Sequence, residues 1–86
     1  MPSAAAEVEL SGFAAMGSRV PNYRRDAAYQ WLRSIGIDRE QSWSTVVRMA
    51  ECLERDEPHF AMKAAEEIVD LTGAYRLMAL LLASAL

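Results

Sequence analysis

The stretch AYQWLRSIGIDREQSW, residues 28–43, contains the end of one helix, a turn and the start of the next. Ala28, Trp31, Leu32 and Ile35 recur at i, i+3, i+4 and i+7, the spacing that lines one face of a helix. Pro21-Asn22 opens that helix, and Gly36 ends it, because glycine accepts the left-handed conformation a helix C-terminus asks for. Asp38 then restarts the chain as an N-cap, with Gln41 three residues on and able to reach back to the cap N–H. A turn this short between two helices implies a hairpin, so the reading is all-α.

Working outward, the second helix places Trp43, Val46, Val47, Ala50 and Leu53 on an apolar face, with Arg48, Glu51 and Arg55 opposite. Glu51 and Arg55 form an i, i+4 pair in the favourable order, and the helix should stop near Arg55. Asp56-Glu57-Pro58 brings acids and a first-position proline to a third start. Residues 58–72 then read as one amphipathic helix, with Phe60, Ala61, Ala64, Ala65, Ile68, Val69 and Leu71 inward and His59, Lys63, Glu66, Glu67 and Asp70 outward. Gly73 ends or kinks it, and a last helix is expected over residues 74–85. Towards the N-terminus, residues 4–16 put Ala6, Leu10 and Phe13 on one face, although Gly12 weakens that segment by about 1 kcal/mol relative to alanine. The expectation is a compact bundle of four to five short antiparallel helices in one domain, residues 1–86, with residues 1–21 a weakly ordered arm or a short first helix.

Composition agrees with this. Of the 86 residues 52% are hydrophobic and 24% charged, with only 4 Gly and 3 Pro, which argues against disorder and against strand-and-turn architecture. The net charge of −3 and an isoelectric point of about 5.0 argue against a protein that coats nucleic acid. Charge is unevenly placed: residues 17–48 carry six Arg against Asp26, Asp38 and Glu40, and residues 49–86 carry seven carboxylates against Arg55, Lys63 and Arg76. Cys52 is the only cysteine, so one chain can form no disulfide and no cysteine-based zinc site, and a reducing compartment fits. The Ala-rich N-terminus lacks a basic start and is interrupted by Glu7 and Glu9, so it reads as unprocessed and the protein as cytoplasmic.

The C-terminal LMALLLASAL, residues 77–86, is uncharged but too short to span a bilayer, which takes about 20 apolar residues. On a helical wheel Tyr75, Leu77, Met78, Leu81, Leu82, Ala85 and Leu86 cover about half the circumference and form the inward side. Ala79, Leu80 and Ala83 then form an almost uncharged outward strip that would meet a partner or a second copy, giving a homodimer through this helix. A second candidate surface is the row Arg25, Tyr29 and Arg33 at i, i+4 and i+8. Two guanidiniums flanking a phenol suit a phosphate, a nucleic-acid backbone or a partner's carboxylates.

Residues 28–37 followed by Ser44-Thr45-Val46-Val47-Arg48 resemble a helix-turn-helix unit in the small residue, the Gly turn and the Thr-Val-x-Arg tail. Eight residues separate Gly36 from Thr45, more than that motif allows. Cys52 and His59 could form a nucleophile and base across the Asp56–Pro58 turn, but their wheel positions point them to different surroundings. His59, Lys63, Glu66 and Asp70 share a face, yet one His with carboxylates over three turns cannot converge on a metal. Isolated glycines make no phosphate loop. Elimination leaves no catalytic residue, no metal and no cofactor. The expected function is a protein-interaction module of antitoxin, immunity, inhibitor, chaperone or adaptor type, and the alternative is a small helix-turn-helix-like DNA-binding regulator.

Overall fold

Residues 19–82, the part of the chain that the computed structural model describes, contain four α-helices: α1 (Asn22–Ser34), α2 (Arg39–Glu54), α3 (Pro58–Glu66) and α4 (Leu71–Leu82). No strand occurs among the described residues. The expected first helix over residues 4–16 lies outside them.

The turn between α1 and α2 is built as its residues require. Gly36 has a φ of 97°, and its N–H donates to Arg33 O at 3.0 Å while the Ile37 N–H donates to Leu32 O at 3.1 Å. These bonds satisfy carbonyls that the end of a helix otherwise leaves open. Two residues later the Asp38 carboxylate accepts the Gln41 N–H at 3.2 Å and starts α2. The end of α2 repeats the geometry with a different residue. Asp56 takes the left-handed position with a φ of 60°, its N–H donating to Leu53 O at 3.0 Å and the Glu57 N–H to Cys52 O at 2.8 Å. Pro58 follows as the first residue of α3, where its missing N–H costs nothing.

Each helix packs on its neighbours in sequence, and α1 on α4 closes the ring. The core between them is Ala28 and Leu32 from α1, Val46, Met49 and Ala50 from α2, Ala61, Ala64 and Ala65 from α3, and Ala74, Leu77 and Leu81 from α4, joined by Val20 ahead of α1. α3 contributes only alanines, so its backbone lies close to the helices on either side, and the volume is filled by Leu32, Met49, Leu77 and Leu81.

Four expectations are corrected. The buried face of α2 is Ser42, Thr45, Val46, Met49 and Ala50, so Trp43 is turned out and remains 47% exposed. The small Ser42 takes the place nearest the turn because its hydroxyl donates to Ile37 O at 3.1 Å, satisfying a carbonyl there. The single helix expected over residues 58–72 ends at Glu66. The chain turns through residues 67–70, and the Asp70 carboxylate caps α4 by accepting the Gly73 N–H at 2.8 Å. Phe60 and Leu71, at either end of the expected apolar face, are exposed. Gly73 is no helix stop: it is buried in the first turn of α4, where a Cβ would lie 2.9 Å from the Cβ of Val69. Finally, Arg55 pairs with Glu57 at 3.1 Å, where the sequence pointed to Glu51.

Candidate functional site

The Arg25–Tyr29–Arg33 row lies on α1 as spaced, but its three side chains have separate tasks. The Arg25 guanidinium donates to Glu54 Oε2 at 2.9 Å and through Nε to Val20 O at 2.9 Å. Glu54 Oε2 also accepts the Val20 N–H at 2.8 Å, so a basic residue of α1 and the last residue of α2 together clasp the chain ahead of α1. Arg33 donates to Ile37 O at 3.0 Å, across the α1–α2 turn. Tyr29 is half-buried and stands edge-on to Trp43, with ring centroids 5.7 Å apart and planes at 81°.

That aromatic pair forms part of the wall of an open groove of about 810 Å³ between α1 and the first turns of α2, lined also by Asp26, Asp38, Arg39, Glu40 and Ser44. The sequence missed it because Trp43 was assigned to the core. The usable signal was Ser42 and Thr45, small residues that let α2 rotate its large aromatic outward.

Of the C-terminal strip, Ala79 is exposed, Leu80 is half-buried against the core, and Ala83 lies outside the described residues. The exposed apolar surface of α4 lies on a different line. Leu71, Tyr75 and Leu82 are 52%, 61% and 49% exposed, with half-buried Met78 between the last two. Their positions follow i, i+4, i+7 and i+11, alternating steps of four and three that keep a seam on one side of a helix. The buried side of the same helix is Gly73, Ala74, Leu77 and Leu81. Arg76 is the only charged side chain along α4.

Other candidates sit apart from these surfaces. The His59 ring stacks on Phe60 at 4.2 Å, and Cys52 Sγ accepts from Arg55 at 4.0 Å. Thr45 is buried, while Arg48 makes a two-bond pair with Glu67 at 3.0 and 3.2 Å, between α2 and the turn that follows α3. That pairing, mainly through its hydrogen bonds, lowers the Glu67 carboxyl below its usual range and raises the Arg48 guanidinium. Among the described residues no three His, Cys, Asp or Glu side chains cluster so as to hold a metal ion, and no helix is long and apolar enough to cross a membrane.

No protein-family model, no curated protein and no solved structure matches this chain.

Proposed function

We propose that the protein works by contact, as a small helical module that binds another protein through the outward seam of α4. We read the short connections and the ring of helix contacts as an antiparallel four-helix bundle, and the free thiol of Cys52 as suited to the reducing cytoplasm. The reading places it among antitoxin-, immunity-, inhibitor-, chaperone- or adaptor-type proteins and not among enzymes.

The observation that carries this reading is the second apolar line on a helix that already has a core face. Single exposed leucines are ordinary, but Leu71, Tyr75, Met78 and Leu82 form a line on one side of one helix. A side chain of this size gains about 1.5–3 kcal/mol on full burial, and the three largest exposures leave about half of that for a partner to collect at each position. A DNA-binding reading has less support, because the first turns of α2 present Asp38 and Glu40 where phosphates would have to approach.

The test is affinity capture from native host extract with the wild-type chain, Tyr75→Glu and Leu71→Glu, beside Lys63→Ala as a control away from the seam. Wild type and the control should retain a common stoichiometric protein that both seam variants lose while keeping wild-type helicity. Equal retention by all four chains would sink the proposal, as would retention of duplex DNA in place of protein. Loss of self-association in the seam variants, seen by sedimentation, would identify that protein as a second copy.

A further inference from the structure

We propose that the Tyr29–Trp43 groove receives the guanidinium of an arginine carried by a partner protein. The inference rests on the reading of this chain as a binding module, but on a face formed by α1 and α2 and not on the seam of α4.

The groove combines two features that select for a cation. Part of its lining is aromatic: Trp43 is 47% exposed and stands perpendicular to Tyr29, so part of the indole remains open to solvent. The negative face of such a ring attracts cations, an indole most strongly. The rest of its lining is mostly acidic: Asp26, Asp38 and Glu40 stand against one cation, Arg39. Asp38 is occupied in capping α2, whereas Asp26 and Glu40 are exposed and belong to none of the ion pairs among the described residues, which are Arg25–Glu54, Arg48–Glu67 and Arg55–Glu57.

These features exclude other occupants in turn. An anion would meet three carboxylates. A purely apolar side chain would leave the carboxylates of Asp26 and Glu40 without a partner beside it. A metal ion would make no use of the indole. A guanidinium uses both features at once, because it is planar and weakly hydrated, stacks on an aromatic face and donates in pairs to carboxylates at its edge. Arg39 does not fill this role, since among the described residues the recorded cation–aromatic contact is Arg24 over Tyr23 at 5.1 Å.

The probe is N-acetylarginine amide titrated into the full chain, with the two tryptophan indole N–H signals followed by nuclear magnetic resonance. Trp31, half-buried on α1 and outside the groove, is an internal control. Trp43 should shift saturably while Trp31 stays, and N-acetylglutamine amide, of similar size but neutral, should shift neither. Asp26→Asn combined with Glu40→Gln should weaken binding about tenfold, and Arg39→Gln should strengthen it about threefold, as expected when charges are added or removed beside a surface site. All three positions are exposed, so the variants should fold as the parent does. The proposal is overturned if the neutral amide shifts Trp43 equally, if Trp31 and Trp43 move together, if no saturable shift occurs, or if the charge variants leave affinity unchanged. Because the titration does not involve α4, its failure leaves the seam reading standing, and failure of the seam variants leaves this one standing.

Discussion

Arg25 and Glu54 meet at 2.9 Å with side chains only 15% and 21% exposed, and the same Glu54 oxygen holds the amide of Val20. One carboxylate thus joins the start of α1, the end of α2 and the chain that enters the fold. Hydrogen bonds to charged groups contribute about 1.5–3 kcal/mol each when well sheltered, and partial exposure reduces that. Glu54→Ala should therefore lower stability by about 2 kcal/mol, and Glu54→Gln by about half as much, because the amide oxygen still accepts from Val20. Urea unfolding checks this as a lower midpoint at unchanged slope.

The two left-handed turns should respond differently to substitution. Gly36, at a φ of 97°, has open space where a Cβ would project, so Gly36→Ala tests backbone strain alone and should cost about 1 kcal/mol. Asp56 already bears that strain at a φ of 60°. Asp56→Gly should leave stability unchanged or raise it by up to about 1 kcal/mol, the relief of strain being partly offset by the freedom glycine has when unfolded. Thermal unfolding of the two variants beside wild type gives the signs directly.

The Arg48–Glu67 pair gives the fold a pH-dependent contact. Since Arg48 lowers the folded-state pKa of Glu67, the contribution is fully present above the ordinary carboxyl pKa and is lost as pH falls through the lowered folded value. Arg48 is raised from an already high value and adds no change across that range. Both side chains are at least half exposed, so the effect should fade in concentrated salt. A carboxyl-carbon magnetic resonance titration should find Glu67 titrating below the ordinary glutamate value of 4.5, and Arg48→Gln should bring it back towards that value.

Sequence made the α1–α2 turn readable because its signals were local: Gly36 and Asp38 act within a few residues, and both behave as their chemistry requires. The break after Glu66 was hidden. Ile68 and Val69 continue the apolar period through the turn and pack on the core from it, so periodicity cannot distinguish them from helix. Asp70 read as one more residue on a wet face, although a carboxylate three residues before Gly73 was the cap. Gly73 read as punctuation, whereas it answers a spatial requirement, the close approach of Val69.

The candidate surfaces were half readable for a similar reason. Tyr29 and Ala79 were singled out and do lie beside the groove and on the open side of α4. Their companions Trp43, Leu71, Tyr75 and Leu82 were assigned inward because hydrophobicity alone does not say which apolar line of a helix meets the core. That choice depends on how closely helices approach, which Ser42 and the alanines of α3 decide.

The tight contact of Gly73 with Val69 and the Asp70 cap also bear on how α4 would meet a partner. They fix the first turn of the helix to the turn before it, so the seam points one way before any encounter. The backbone freedom lost on docking is then small, and a surface of modest area can bind more firmly than its size suggests.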